Sequence, residues 1–203
     1  MMSDNYDDCK HRFKVVLMGS HGVGKTSLLR RLCRDTFSLT VPETRGLSDQ
    51  PKRLRVFDKD IVLHLWDTAG TEKYRPINAL YIRRTPGAII AFDVTRKETF
   101  NDLGYWLKEL FTNSDDPQCI LVGNKIDLTE QREVRKEDAE EFARKNKLIY
   151  VETSAKDNVC VSQAFERLGE MILEKNMKST LSGDNSRRRL SSVAKPVKKG
   201  CCN

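Results

Sequence analysis

The chain has 203 residues, and 38% of them are hydrophobic, which is enough apolar material for one globular core. Its formal charge is +7, but the segment from Lys175 to Asn203 holds eight basic residues and one acidic residue, so residues 1–174 are neutral. A neutral body with a cationic tail argues against a broad nucleic-acid-binding face and favours local attraction to an anionic surface.

The predicted elements alternate between strand and helix after a polar N-terminal extension over residues 1–12, which we expect to be flexible. Apolar runs predict six strands, at Phe13–Met18, Lys52–Phe57, Ile61–Trp66, Gly87–Phe92, Cys119–Val122 and Leu148–Glu152. Amphipathic segments predict four helices, at Lys25–Arg34, Glu98–Phe111, Lys136–Lys145 and Val159–Glu174. Beyond Asn176 the chain is rich in Ser, Lys, Arg and Asn, and we expect a disordered, basic, hypervariable tail over residues 175–203.

This alternation predicts an α/β fold with a mostly parallel six-stranded sheet, one antiparallel edge strand and helices on both faces. The antiparallel pair is Lys52–Phe57 with Ile61–Trp66, because the polar segment Asp58-Lys59-Asp60 between them suits a hairpin turn. Ligands of such sheets bind at the carboxyl ends of the strands. Each motif described below follows a predicted strand, so we expect the motifs to meet in one crevice.

The first motif has the spacing of a phosphate-binding loop. Gly19 is separated by four residues from Gly24-Lys25-Thr26, and the motif lies between a predicted strand and a predicted helix. Its glycines allow backbone amides to turn inwards, where they and the helix N-terminus hold phosphates. We assign Lys25 to the outer phosphates and the Thr26 hydroxyl to magnesium. The alternative is an ordinary glycine-rich turn.

The second motif is Asn124-Lys125-Ile126-Asp127, which follows a predicted strand. The Asp127 carboxylate accepts hydrogen bonds, which suits the two neighbouring N–H groups on one edge of guanine. Adenine presents an acceptor there, and a desolvated Asp127 left without a donor costs several kcal/mol by order of magnitude. The sequence therefore predicts a guanine pocket, with a plain surface loop as the alternative.

Two further motifs, Trp66–Gly70 and Glu152–Lys156, stand before and after this one. In this order and spacing, the motifs make the chain resemble a Ras-superfamily small GTPase over approximately Phe13 to Met171. It looks most like a Rab, because Trp66–Gly70 runs into Glu72–Ile77 and because Ala91–Thr95 and the terminal Cys201-Cys202 resemble that family. The resemblance implies a P-loop NTPase fold and a GTPase domain over 13–174.

Specific roles follow from this resemblance. It implies that Phe37 stacks on the base, the Gly70 amide contacts the γ-phosphate and the Ala155 amide contacts the guanine carbonyl. The implied catalytic residues are Lys25, Gly70 and Thr71. Magnesium is implied at Thr26, at Thr44 and, through water, at Asp67. The residues implied to contact GTP or GDP are Gly19, His21, Gly22, Val23, Gly24, Lys25, Thr26, Ser27, Phe37, Thr44, Gly70, Asn124, Lys125, Asp127, Leu128, Ser154, Ala155 and Lys156.

The chain departs from the family pattern at three places. Thr71 stands where the family usually has the Gln that orients the attacking water, so we expect slow intrinsic hydrolysis; neutral variation is the alternative. His21 stands where the family prefers a small residue. The segment from Thr44 to Asp49 lacks the usual apolar and aromatic residues, so the effectors that bind the two expected switch segments, Phe37–Asp49 and Thr68–Leu80, are expected to be unusual.

Membrane attachment is expected to be chemical, since no apolar run of about 18 residues exists in the sequence. The resemblance implies lipidation at Cys201 and Cys202, supported by the basic residues Lys195, Lys198 and Lys199; exposed thiols or a disulfide are the alternative. The remaining cysteines match no zinc spacing and are expected to be reduced.

The resemblance implies several kinds of partner: a guanine-nucleotide exchange factor, a GTPase-activating protein, a GDP-dissociation inhibitor, an escort protein and effectors. It also implies a monomer on the cytoplasmic face of an endomembrane or the plasma membrane, cycling with the cytosol, and a role in vesicle trafficking. Two other classes stay open: a GTP-bound scaffold whose turnover is disabled by Thr71 and His21, and an ATP-dependent P-loop kinase or ATPase.

Overall fold

The computed structural model describes residues 6, 8–42, 44, 48–68 and 80–191, except for the side chains of 181–191. It divides into two compact units, Met1–Ile172 and Leu173–Asn203. Within the described residues, no helix is both long enough and apolar enough to span a bilayer.

The first unit is built on a six-stranded sheet. Its strands are β1 (His11–Met18), β2 (Ser48–Val56), β3 (Lys59–Asp67), β4 (Gly87–Asp93), β5 (Gln118–Asn124) and β6 (Ile149–Thr153). Their order across the sheet is β2-β3-β1-β4-β5-β6, and only the β2–β3 pair is antiparallel. The predicted mostly parallel sheet with one antiparallel edge strand is therefore confirmed.

Within the part of the chain that the structure describes, five named helices connect or follow the strands. They are α1 (Lys25–Arg34), α2 (Lys97–Asn101), α3 (Leu103–Asn113), α4 (Lys136–Lys145) and α5 (Val161–Ser191), with a short 3-10 turn at Thr129–Gln131. The predicted bounds of α1 and α4 are those of the structure. Because parallel strands need crossover connections, the helices stand between successive parallel strands.

Residues of β4 show that helices cover both faces of the sheet. Successive residues of a strand point to opposite faces. A Cβ added to Gly87 would lie 2.4 Å from Cδ1 of Ile172 on α5. Its neighbour Ala88 belongs instead to the buried cluster that contains Leu103 and Trp106 of α3. The predicted helices on both faces are thus confirmed, and the fully buried strand β4 lies between them.

Several predicted boundaries differ from the structure. β1 begins at His11 rather than Phe13, because His11 pairs with Ile61 of β3. The predicted turn at Asp58–Asp60 was wrong: the turn is formed by Phe57 and Asp58, both in the left-handed region, and β3 already begins at Lys59.

Two helical predictions also need correction. The single helix predicted at Glu98–Phe111 is two helices, α2 and α3, which meet at Asp102, whose carboxylate accepts a hydrogen bond from Ser20. Helix α5 was predicted to end at Glu174 but continues to Ser191, since no proline interrupts the segment. In this C-terminal part, the hydroxyls of Ser179 and Thr180 both donate to the carbonyl oxygen of Asn176. Residues 192–203 lie outside the described residues.

Candidate functional site: a cavity at the carboxyl ends of the strands

A cavity of about 510 Å³ opens at the carboxyl ends of the parallel strands. This is the edge at which ligands bind in sheets of this kind. Residues from the two predicted motifs line it together. The lining residues are His21, Gly22, Gly24, Lys25, Thr26, Ser27, Phe37, Ser38, Leu39, Val41, Pro42, Thr44, Thr68, Asn124, Lys125, Asp127, Leu128, Ala155 and Lys156.

The loop between β1 and α1 has the positive φ angles that the glycine spacing predicts. Gly19, Gly22 and Gly24 have positive φ angles of 135°, 76° and 97°. A Cβ on Gly19 would lie 2.1 Å from the carbonyl oxygen of Ala91, and one on Gly24 would lie 2.4 Å from Nδ2 of Asn124. Glycine is therefore required at both positions by conformation and by space.

Lys25 lies at the start of α1 and is only 6% exposed. Its Nζ donates hydrogen bonds to the carbonyl oxygens of Gly19 (2.7 Å) and Ser20 (3.0 Å). Burial lowers the pKa of Lys25 to about 8, while Asp67 raises it and Arg96 lowers it. An anionic ligand beside this amine would favour its charged form, so the site suits a phosphate.

Three oxygen-bearing side chains meet next to Lys25. The Thr26 hydroxyl donates to Oδ2 of Asp67 at 2.6 Å, and the Thr26 and Thr44 hydroxyl oxygens are 2.9 Å apart. Thr44 also donates to Oδ2 of Asp67 at 3.4 Å. Burial raises the pKa of Asp67, whereas the hydrogen bond from Thr26 and the charge of Lys25 lower it.

The other carboxylate oxygen of Asp67 fits a magnesium site. Oδ1 is buried and has no hydrogen-bond partner among the described residues. A buried carboxylate oxygen without a donor is costly unless water or a cation satisfies it. Hydroxyl and carboxylate oxygens are also the donors that magnesium prefers. The residues Thr26, Thr44 and Asp67 therefore suit the cation that the sequence motifs imply.

Asp127 also lines the cavity, and its side chain is 8% exposed. Its Oδ1 accepts a 2.7 Å hydrogen bond from the Ser154 hydroxyl, and its Oδ2 lies 4.0 Å from Nζ of Lys156. Ser154 in turn accepts a hydrogen bond from the Asp157 amide at 2.9 Å. The carboxylate is thus held in one orientation by the loop that follows β6.

Asn124 lines the cavity, is 1% exposed and joins three segments of the chain. Its Nδ2 donates to the carbonyl oxygen of Val23 at 2.9 Å. Its Oδ1 accepts from the Thr153 hydroxyl at 3.1 Å and from the Ala155 amide at 3.3 Å. The side chain therefore connects its own segment, Asn124–Asp127 (the base loop), to the phosphate loop, Gly19–Gly24, and to the residues that end and follow β6. The Ala155 amide has a protein partner in this structure.

The structure brings most of the predicted site residues together. Phe37 and Leu128 line the cavity, whereas Gly19, Val23 and Ser154 support its wall without lining it. His21 is exposed at the cavity. Gly70, Thr71, Cys201 and Cys202 lie outside the described residues, and so does most of the segment 68–80.

Sequence reasoning missed two residues beside the cavity. Asp93 ends β4 and is buried, and Arg96 follows it at the start of α2. Asp93 is a polar residue at the end of a buried apolar strand, as Asn124 is in β5, and this position was a signal that could have identified it. Thr68 was placed in a switch segment. The structure adds a 2.6 Å hydrogen bond, which the Thr68 hydroxyl donates to the carbonyl oxygen of Leu17 and which the sequence did not predict.

Comparison with known proteins agrees with this geometry. The model of the Ras family matches residues 14–174, which include every described residue that lines the cavity. The chain belongs to the Ras family. It is 40% identical over 183 residues to the Ras-related protein RABA4b of Arabidopsis thaliana, covering 90% of this chain and 82% of that protein.

Other relatives of this Ras-family chain cover similar lengths. The Ras-related protein Rab11A of Lotus japonicus is 41% identical over 175 residues, or 86% of this chain and 77% of that one. The Ras-related protein Rab11C of Nicotiana tabacum is 36% identical over 221 residues, with both chains covered completely. The resemblance to Rab proteins that the motifs indicated is confirmed, and the chain is a Rab-like small GTPase.

Proposed function

We propose that this chain is a switch that binds GTP and GDP in the cavity, hydrolyses GTP slowly and recruits effectors to a membrane in vesicle trafficking. The observation that carries the proposal is that Lys25 and Asp127 both line one cavity. Lys25 supplies positive charge for phosphates, and Asp127 supplies a fixed acceptor pair for guanine. Membership of the Ras family supports GTPase activity.

Each part of the site has a distinct role in this proposal. Backbone amides of the phosphate loop and the N-terminus of α1 bind the phosphate chain, while Lys25 neutralises the outer phosphates. Ser154 orients Asp127, and Asn124 fixes the distance between the two loops. Phe37 is half-buried in the cavity wall and offers a ring for the base.

Magnesium would be held by the hydroxyls of Thr26 and Thr44 and, through water, by Asp67. When bound, the cation would neutralise the charge that develops on the phosphates. The Thr26 hydroxyl already lies 2.6 Å from Asp67, so these residues need little rearrangement to share a ligand. Gly70 completes the phosphate site through its amide in this proposal.

Slow hydrolysis is the finer part of the proposal and rests on Thr71. Transfer of the phosphoryl group to water needs a side chain that positions the water. The Thr hydroxyl is shorter than the usual Gln amide and has no N–H group. A GTPase-activating protein would then supply the missing group. A hydrolysis-impaired, mostly GTP-bound scaffold is the second candidate, favoured by the combination of Thr71 with His21 at the cavity.

The membrane part of the proposal rests on the tail. Lipids on Cys201 and Cys202, with the neighbouring lysines, would hold the protein on the cytoplasmic face of an endomembrane or the plasma membrane. A GDP-dissociation inhibitor, an escort protein and an exchange factor would control its cycling, and effectors would bind 37–49 and 68–80. The family of its relatives supports these kinds of partner.

Calorimetry with GTP, GDP and ATP in the presence of magnesium tests the proposal. We expect GTP and GDP to bind and ATP not to bind. Asp127→Asn should move the preference to xanthine nucleotides, because an amide offers a donor where guanine has one and xanthine has an acceptor. Failure to bind either guanine nucleotide overturns the proposal, and equal competition by ATP favours a P-loop kinase or ATPase.

Two measurements test the hydrolysis rate. Single-turnover GTP hydrolysis should be faster in Thr71→Gln than in the unaltered protein, and equal rates would remove Thr71 as the cause. The nucleotide that copurifies with the protein separates the two candidates. Mostly GDP supports a hydrolysing switch, whereas mostly GTP supports the scaffold.

A further inference from the structure

A buried carboxylate lies between the phosphate loop and the base loop. The Asp93 side chain, at the end of β4, is 1% exposed. Its Oδ1 accepts hydrogen bonds from the amide and the hydroxyl of Thr95, at 2.9 and 2.7 Å. Its Oδ2 lies 2.6 Å from Nζ of Lys125 and accepts from Nε of Arg96 at 3.3 Å. One oxygen therefore bonds two cationic side chains.

Arg96 extends from this carboxylate to the phosphate loop. Its Nη2 donates a 2.6 Å hydrogen bond to the carbonyl oxygen of His21. A Cβ added to Gly22 would lie 3.3 Å from the same Nη2, so the guanidinium packs directly against the loop backbone. The Gly22 φ angle is 76°, which glycine adopts without a steric penalty, so Arg96 contacts the loop where its backbone is least restricted.

Lys125 completes the connection from the other side. It belongs to the base motif and lines the cavity. Its own φ angle is 71°, so it also has a backbone conformation that its surroundings must hold. The ion pair with Asp93 fixes its side chain. Asp93 thus connects the base loop, through Lys125, to the phosphate loop, through Arg96.

The charges of this group are consistent with a permanent ionic link. Burial alone would raise the pKa of Asp93, but hydrogen bonds from Lys125 and Thr95 outweigh it and hold the pKa below its usual value. A charged acceptor makes shorter and stronger hydrogen bonds than a neutral one. The planar guanidinium presents Nε and Nη2 in fixed directions, so Arg96 bonds the carboxylate and the carbonyl at the same time.

We propose that Arg96 is a positioning residue that connects the phosphate loop to the base loop through Asp93 and so slows the release of GDP. This proposal rests on the proposed function, since it assumes that the cavity holds a guanine nucleotide. Without Arg96, the His21 carbonyl loses its side-chain partner and the phosphate loop is free to open while the base loop stays closed. The nucleotide can then leave without a simultaneous opening of both loops.

The test is the dissociation rate of a fluorescent GDP analogue from the full chain with magnesium present, chased with excess GDP. Arg96→Ala should release the analogue about tenfold faster, because a charge-assisted hydrogen bond is lost. Arg96→Lys should also be faster than the unaltered protein, since a single ammonium has no fork to bridge the two oxygens. The association rate constant should change much less in both variants.

Arg135 provides a matched control. It precedes helix α4 as Arg96 precedes α2, and its guanidinium bonds Asp138 three residues away. Arg135 is not among the residues that line the cavity. Arg135→Ala should leave GDP release unchanged. If it accelerates release as much as Arg96→Ala does, the effect is general destabilisation and the proposal fails.

A double-mutant comparison separates positioning from a local structural role. If Arg96 acts through Asp93, the combination of Asp93→Asn with Arg96→Ala should accelerate release by less than the product of the two single effects. Independent effects would overturn the connection. Unaltered protein that binds GDP, together with an Arg96→Ala variant that releases it at the same rate, overturns this inference alone. Unaltered protein that binds no guanine nucleotide overturns the proposed function instead.

Discussion

The hydroxyl of Ser154 donates a 2.7 Å hydrogen bond to Oδ1 of Asp127 and at the same time accepts one from the Asp157 amide. These two bonds fix the carboxylate before a ligand arrives. Ser154→Ala should therefore weaken GDP binding about tenfold, because Asp127 loses a partner and its orientation. Titration with a fluorescent GDP analogue measures this.

The control for this prediction is Ser162→Ala, at an exposed position near the start of α5. It should leave the dissociation constant unchanged. An unaltered dissociation constant in Ser154→Ala would mean that the loop orients Asp127 without the hydroxyl.

The second prediction compares an alanine substitution at Gly24 with the same substitution at Gly104. Gly24 has a φ angle of 97°, and an added Cβ would lie 2.4 Å from Nδ2 of Asn124. Gly24→Ala should lower GDP affinity more than tenfold, since the methyl group separates the phosphate loop from Asn124. Gly104 lies in α3, and its added Cβ meets nothing within 4 Å.

Gly104→Ala should instead raise the free energy of unfolding by about 0.5–1 kcal/mol, through helix propensity alone. Urea unfolding of the GDP-bound protein and titration of GDP, applied to both variants, measure the two effects. Equal GDP affinity in the two variants would show that the phosphate loop tolerates a side chain at Gly24.

The turn between β2 and β3 carries backbone strain. Phe57 and Asp58 have φ angles of 48° and 59°, where glycine and asparagine are usual in a tight hairpin. Asp58→Gly should raise the free energy of unfolding by about 1 kcal/mol, because glycine reaches this region without a steric penalty. The exposed ion pair of Asp58 with Arg55, at 3.8 Å, contributes little against this.

Asp60→Gly is the control, since Asp60 lies in β3 and its φ angle is not positive. This change should lower the free energy of unfolding, because glycine weakens a strand. If Asp58→Gly also lowers the free energy of unfolding, contacts of the Asp58 side chain stabilise the turn by more than its positive φ angle costs.

The periodicity of the chain was sufficient to predict most of the fold. Strands such as β4 are continuous apolar runs, and the order of strands and helices implies parallel pairing. The turn at Phe57 was missed because a bulky aromatic residue has little propensity for a positive φ angle. The division at Asp102 was missed because the hydrogen bond from Ser20 joins residues 82 positions apart.

The residues of the candidate site also divide into those that the sequence predicted and those that it did not. Lys25, Asn124 and Asp127 could be predicted, since each belongs to a short motif whose spacing reflects a local backbone shape. Asp93 and Arg96 could not be assigned a role, because their partners Lys125 and His21 are brought near only by the tertiary fold. The effects of Thr71 and of the tail cysteines stay predictions.

Cys119 gives a prediction about reactivity. Its thiol is 3% exposed, and burial raises its pKa from 9.0 to about 12. In the folded protein it should stay unmodified by iodoacetamide at pH 8, while the partly exposed Cys9, Cys33 and Cys160 are modified sooner. Peptide mass spectrometry after brief alkylation measures the order in which the cysteines are modified. In urea, where the protein is unfolded, Cys119 should be modified as fast as the others.

The raised pKa of Cys119 also predicts how the stability of the fold depends on pH. Between pH 9 and about 12 the unfolded thiol ionises and the folded thiol does not, so Cys119 stabilises the fold below this window and its contribution falls as pH rises through it. Cys119→Ala should show a shallower loss of stability over this window. Identical slopes in both proteins would contradict the buried, neutral thiol.

The proposed magnesium site predicts how nucleotide release responds to removal of the metal. Asp67 Oδ1 is buried without a partner among the described residues, and Thr26 bonds only the other oxygen. Addition of EDTA should accelerate GDP release from the unaltered protein at least about tenfold, as the cation no longer joins the nucleotide to these side chains.

Asp67→Asn keeps the size of the side chain but lacks the charge and one acceptor oxygen. Its GDP release should already be fast with magnesium present, and EDTA should change it little. Glu130→Gln, at an exposed position in the turn Thr129–Gln131, should behave as the unaltered protein does. If Asp67→Asn responds to EDTA as strongly as the unaltered chain, Asp67 takes no part in holding the metal, and its buried oxygen must be satisfied by water alone.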